Sequence, residues 1–298
     1  MSTCLLAYPD FVIPTAQTGV TAGGFTPLFS GGGWSHIGAL SEPNLDSYAT
    51  SFTAGSIHTT FDIDLGATRE LRVFAIPGNN FTSAATVQVK VGTVASFASG
   101  VVLDSGAQSV FPRYYPVGSI PSTHESYADG KLSAEALLKF AIRPGWYYAH
   151  SSTVNGRYVR VIISDIANPA TYVTLNRFIC APAWQPSINM SYGIMPTWIS
   201  NDNPVDTLGG VTLFDKRPKK RAFQFSIDSL GSNEAMVYAF EMQRILGIDG
   251  ELFFVYDPAD TDLLLRQRSF LCTLKQMNAI QYPYFGTMSA GFELVEKI

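Results

Sequence analysis

Period-two alternation dominates two widely separated stretches of this chain. The first is Thr59-Thr-Phe-Asp-Ile-Asp-Leu-Gly66, followed by Leu71-Arg-Val-Phe-Ala-Ile-Pro-Gly78. The second is Gly156-Arg-Tyr-Val-Arg-Val-Ile-Ile-Ser164, followed by Tyr172-Val-Thr-Leu-Asn-Arg-Phe-Ile179. Alternation puts one set of side chains in a core and the other in solvent, the mark of an antiparallel sheet. Thr86–Val91 and Val101–Asp104 add short strands, and Pro77-Gly-Asn-Asn80 supplies turn chemistry between strands. The runs read as the opening and closing halves of a β-sandwich. Such a fold serves binding or structure more often than catalysis.

The remaining pattern sets the domain organisation. Residues 1–50 are rich in Gly, Pro, Ser and Thr and read as an extended arm, entering the sheet edge or lying on a neighbour. Residues 51–190 form the sandwich, interrupted by an insertion at about 111–155. Within it, Lys131–Ala141 predicts a short helix, and Trp146, Tyr147 and Tyr148 form an aromatic knot in loop-like sequence. Ala181-Pro-Ala-Trp-Gln-Pro186 ends the last sandwich strand. Residues 191–298 then change character. A helix over 232–246 is capped by Ser232 or Asn233 and by Gly247, with Met236, Ala239, Phe240 and Gln243 on one face. Strands are expected at Val211–Phe214, Arg221–Ile227, Glu251–Tyr256, Gln267–Leu274 and Gly286–Val295. The fold class is mainly β.

Composition sharpens this. Of 298 residues, 46% are hydrophobic but only 15% are charged, with 20 Phe and 14 Tyr. Charge depletion with abundant aromatics suits either large β cores or a subunit buried in an assembly. A net charge of −4 argues against a general nucleic-acid binder. No stretch approaches the roughly 18 apolar residues of a membrane helix. The N-terminus lacks the basic region and apolar length of a signal peptide, so synthesis in a cytoplasm is expected. Cys4, Cys180 and Cys272 have no metal or disulfide spacing and read as core residues.

Reactive constellations are scarce. His36, His58, His124 and His150 are scattered, and no nucleophile elbow, phosphate loop or HExxH motif is present. No cofactor and no metal are expected, and the chain reads as not an enzyme. Asp62 and Asp64 share a strand face, which a glycosidase pair needs, but a solvent-facing polar row fits them better. Asp257, Asp260 and Asp262 make an acidic turn without the glycine and terminal glutamate of an EF-hand loop. Lys216, Arg217, Lys219, Lys220 and Arg221 give five basic residues in six positions, read as a contact for an acidic subunit surface rather than for nucleic acid. Trp34, Trp146, Tyr147 and Tyr148 could stack on sugars or on a partner, or plug the open end of the sandwich.

Two resemblances follow from these residues. Thr59–Gly66, the strand at Leu71, Thr86–Val91, Val101-Val-Leu-Asp-Ser-Gly106, Arg157-Tyr-Val-Arg160 and Thr174-Leu-Asn-Arg-Phe178 resemble the galactose-binding-like, discoidin-type jelly roll. Lys220–Ser226, the helix from Glu234 to Gly247, Phe253-Phe-Val-Tyr-Asp-Pro258 and Gly291-Phe-Glu-Leu-Val-Glu296 are similar to tail-tip and distal tail proteins of long-tailed bacteriophages. Together they cover residues 56–110 and 156–298. The acidic calcium loop that such jelly rolls often carry is not evident. The second resemblance implies a small β-barrel with one helix that closes into a homo-oligomeric ring, hexamer or trimer, at the distal end of a virion tail. It implies tube, hub and fibre proteins as partners. The alternative is a carbohydrate-binding module for host-surface glycans. A hydrolase using Asp62 and Asp64 is a third, weaker reading.

Overall fold

In the computed structural model the alternating runs join into two long paired strands. The structure describes residues 3–12, 28–30, 33–51, 59–139, 145–166, 168–206, 212–260 and 266–298. His58, Asp262 and parts of the N-terminal arm and of the Lys131–Ala141 segment lie outside the described residues. The chain divides into two compact units, residues 1–184 with 253–270, and residues 185–252 with 271–298.

The first unit is a β-sandwich. Its larger sheet runs in the order Ile179–Ala181, Thr59–Ile76, Trp146–Ser164, Thr86–Gly92, Val101–Asp104, all antiparallel. Leu28–Ser30 and Gln108–Ser109 pair with it as short additions. The smaller sheet is Thr174–Leu175, Ala49–Ser51 and Trp34–Ser35. Register explains the two faces. Phe61, Val161 and Val89 lie side by side, as do Ile63, Val159 and Val91, and all six are fully buried. Each such side chain removed from water contributes about 1.5–3 kcal/mol. Trp34 and Phe178 meet the Phe61 ring edge-on, at 5.5 and 5.7 Å between centroids.

The sequence divides the Thr59–Ile76 strand in two, and the structure does not. Gly66 sits at φ 73°, with its N–H donated to Asp64 Oδ1 at 2.8 Å. Pairing resumes at Arg69 opposite Gly156, so the strand bulges and continues. Trp146–Tyr148 likewise belongs to the strand rather than to a loop, and pairs with Ile76, Ala75 and Phe74. The insertion is therefore shorter than expected. Its helix is Ala134–Lys139, with Ala136 N–H donated to Ser133 Oγ. Lys131 Nζ ties it to the sandwich by donating to Ser83 O and Ser109 Oγ, both at 2.7 Å.

The N-terminal arm does not extend away from its own unit. Leu5–Ala7 pairs with Ala183–Trp184 on one side and with Phe253–Val255 on the other. Cys4, Leu5 and Leu6 are fully buried, because a run apolar on successive positions is stable only where both faces are covered. Residues 253–270 thus group with the sandwich unit and not with the C-terminal part.

The second unit is an open antiparallel sheet in the order Phe270–Leu274, Thr287–Glu296, Lys220–Gly231, Met195–Ile199, with Gln281–Tyr284 also on Thr287–Glu296. The closed barrel expected from the sequence is not formed among the described residues. Two of its outer strands carry a proline, Pro196 and Pro283, and a proline has no N–H to give to a further strand. A helix in three sections, Ser232–Glu234, Ala235–Phe240 and Glu241–Leu246, lies against Thr287–Glu296. It ends where Gly247 reaches φ 56° and donates to Gln243 O. The middle section is π-wound, so the inward face is Ala235, Ala239, Met242 and Leu246. Met236 and Phe240, expected beside Ala239, point outward instead. Finally, Asn203–Asp206 and Thr212–Asp215 form a separate two-stranded ribbon.

Candidate interaction surfaces

The four aromatic residues singled out for stacking are held inside the first unit. Trp34 is buried and donates its indole N–H to Thr60 O at 3.1 Å. Trp146 is 1% exposed and belongs to the sandwich core. Tyr147 points to the opposite face of the same strand, where Phe253 lies 5.8 Å away and the Arg266 guanidinium sits over the ring at 4.8 Å. Burial pushes its phenol above the usual range. Tyr148 stacks on Phe74, and its hydroxyl meets His150 Nδ1 at 3.1 Å. Because Trp146 and Tyr147 are both buried, on opposite faces of the strand, the segment carries no polar alternation. That is why it reads as an irregular knot in the sequence. Trp34, Trp146 and Tyr147 are thus buried, and Tyr148 is half-buried.

The basic run is largely neutralised within its own unit. Arg217 pairs with Asp215 at 3.1 Å and donates its backbone N–H to Asp202 Oδ1 at 2.8 Å. Asp202 is held below the usual carboxylate range, first by that N–H, then by Ser200, with Lys219 and Lys216 adding smaller attraction. Arg221 forms an ion pair with the buried Glu296, and its N–H also donates to that carboxylate. Lys220 begins the sheet strand opposite Ile199. Asp215 adjoins the run in sequence, whereas Asp202 and Glu296 are brought to it by the fold. Of the five cations, Arg217 and Arg221 form ion pairs within the unit, and Lys216 and Lys219 are exposed.

Asp62 and Asp64 are structural. Arg160 grips Asp62 with two hydrogen bonds of 2.7 and 2.8 Å, and Arg157 grips Asp64 in the same way. The Arg157 hydrogen bond is the main reason that Asp64 sits below its ordinary range. Across the solvent face the register sets Asp62, Arg160, Lys90 and Asp104 in one row over four strands. Lys90 reaches Asp104 at 3.2 Å, so each cation has an acid on its outer side. Phe97 covers Arg160 at 4.5 Å. A carboxylate held by a bidentate arginine is a poor proton shuttle. Asp257 closes the acidic turn through Ala259 N–H. Among the described residues no group of three metal-binding side chains occurs.

Two features stand out that residue-by-residue reading missed. At one loop end of the sandwich, amides knit Pro77–Thr82 to residues 165–176. Gly78 and Asn176 exchange two hydrogen bonds, Asn80 joins Tyr172 and Thr174, and Asp165 holds Thr82 and Asn168. Tyr172, whose ring is exposed, lies within this network, and the exposed Tyr48 precedes the Ala49–Ser51 strand that pairs with Thr174–Leu175. The second feature is apolar. Seventeen of the twenty-five large hydrophobic side chains that stand exposed among the described residues fall in the second unit, which holds about a third of the chain. They include Trp198, Phe214, Val237, Phe240, Tyr282 and Phe285, the last fully exposed. A monomer seldom leaves so much large apolar surface in water.

No protein-family model matches the chain, and no curated protein does. Solved structures to which it is similar include SpGH29, at 11% identity and a TM-score of 0.35 over 59% of this chain. The chain spans only 28% of the length of that structure. A family 32 carbohydrate-binding module from C. perfringens NanJ, in complex with galactose, aligns at 11% identity and a TM-score of 0.33, covering 59% of this chain and 98% of the module. A Streptococcus pneumoniae fucose-binding module, SpX-3, aligns at 11% identity and a TM-score of 0.34, covering 58% and 97%.

Proposed function

We propose that this chain is a structural, non-catalytic subunit that assembles through its second unit, in the manner implied by its resemblance to tail-tip and distal tail proteins of long-tailed phages. The observation that carries the reading is the concentration of exposed large apolar side chains on that unit. The test is the mass of the purified full chain in solution, with negative-stain images of the same sample. Rings of three or six copies are expected. A chain that stays monomeric at its highest soluble concentration, and that joins no tail protein when mixed, would overturn the reading.

A second reading assigns glycan binding to the sandwich unit. The amide-rich loop end with Tyr48 and Tyr172 supports it, since sugars are held by amides beside an aromatic ring. Galactose and fucose, the sugars of the neighbouring structures, are the first probes. Binding that is lost in Tyr172→Ala while the fold is retained is the expected result. No binding to a glycan array would dismiss this reading without touching the first.

A further inference from the structure

The second unit carries two different apolar features, each exposed among the described residues. The first is a surface made by the helix and the neighbouring hairpin. Ser232 Oγ, at the helix start, meets Tyr282 OH at 3.0 Å and donates to Gly286 O, which joins the two elements. Met236, Val237 and Phe240 point outward along the helix, and Tyr282, Tyr284 and Phe285 stand out on the hairpin. Their exposures run from 44 to 104%. At roughly 150–250 Å² for each large side chain, that leaves about 800 Å² of apolar surface in water. A stable protein interface buries about the same area on each partner. A helix apolar on both its inner and outer faces is normally covered on both.

The second feature is the ribbon Asn203–Asp206 with Thr212–Asp215. Its register puts Val205 beside Leu213 on one face and Pro204 beside Phe214 on the other. Val205, Leu213 and Phe214 are each more than half exposed. A lone two-stranded ribbon is marginal in water, and one that is apolar on both faces needs a host.

We infer that the ribbon of one copy packs onto the helix–hairpin surface of the next copy. This rests on the assembly role proposed above and specifies its contact. The occupant is a second copy because the chain itself offers both an unhoused ribbon and an unfilled surface of interface size. Side chains carry the contact rather than added strands, because Pro196, Pro204 and Pro283 remove backbone donors from the exposed strands involved. The two surfaces differ, so the contact is heterologous and propagates head to tail, which yields a ring when the rotation closes.

Mixing two full-length variants tests this. Val237→Ser with Phe285→Ser removes the receiving surface and leaves the ribbon. Leu213→Ser with Phe214→Ser does the reverse. All four positions are exposed, and a circular dichroism spectrum checks that both variants fold. Each alone should be a 32.4 kDa monomer by light scattering, and an equimolar mixture should give a dimer of twice that mass, capped at both ends. If wild type assembles but either variant still assembles alone, or the mixture stays monomeric, the contact is wrong and the assembly role stands. If wild type never assembles with itself, the contact falls, and the assembly role falls with it when the chain also joins no tail protein.

Discussion

Gly78→Ala should unlock the loop end of the sandwich by way of one side chain. A β-carbon at Gly78 would lie 2.3 Å from Asn176 Nδ2, 2.7 Å from its Cγ and 2.9 Å from Oδ1. The Asn176 amide must therefore swing away. It then abandons the Gly78 N–H that Oδ1 now accepts at 2.8 Å. An orphaned, largely buried N–H costs about 1–3 kcal/mol. Displacing a side chain that is itself 7% exposed adds about 1–3 kcal/mol of packing strain. Removing a glycine returns about 0.4–1 kcal/mol by restricting the unfolded chain. The net loss is about 2–4 kcal/mol. Asn176→Ala alone should cost about 1–3 kcal/mol, for the lost acceptor. In the double variant nothing is left to clash, so its cost should approach that of Asn176→Ala alone. The assay is equilibrium urea denaturation followed by tryptophan emission. Three of the four tryptophans, Trp34, Trp146 and Trp184, are buried in this unit and report its unfolding. Additivity of the two single costs to within about 0.5 kcal/mol would refute the steric argument.

Asp10→Ala should destabilise the same unit by about 3–5 kcal/mol, read as a drop in urea midpoint, because it strips the buried Arg177 of its carboxylate and Val12 and Cys180 N–H of their acceptor. Asp64 titrates below the ordinary value of 3.8, so the stability it adds is complete above that value and is lost as pH falls through its lower native pKa. Asp64→Asn should therefore lower the urea midpoint at pH 7 and flatten its decline below about pH 4; an unchanged acid limb would count against the Arg157 pair. Burial pushes the Cys4 thiol up to about 12, and the buried Cys180 thiol is also raised. Both should resist a thiol reagent at pH 8 in the native protein and react once urea unfolds it, as mass spectrometry would show.

The sandwich was legible because its sheets have one wet face. Thr59–Leu65 and Arg157–Ser164 alternate along most of their length, and both lie in strands with the expected faces inward. Legibility failed where that condition failed. Leu5–Ala7, Trp146–Tyr147 and Phe253–Val255 are covered on both faces, so their sequence gives neither register nor the unit they join. The helix face slipped because a π section alters the period that the reading assumed. Two of the acids that meet the basic run, Asp202 and Glu296, arrive through pairing that no local window contains, while Asp215 stands next to it. The abundance of aromatics pointed to an interface, but only the structure separated Trp146, inside the core, from Phe285, at a hairpin tip.

The π-wound section has a genetic consequence. It holds one residue more per turn than the α-helix on either side. Deleting a single codon within Ala235–Phe240 would restore regular winding and keep both helix ends and the sheet beneath. The two flanking sections would keep the faces they now show, because the wider π turn already absorbs the extra residue. A single in-frame deletion would therefore change the side chains that this one section shows the outside world, and only those. Descendants of one ancestral chain could acquire new neighbours that way while leaving the rest of the molecule untouched.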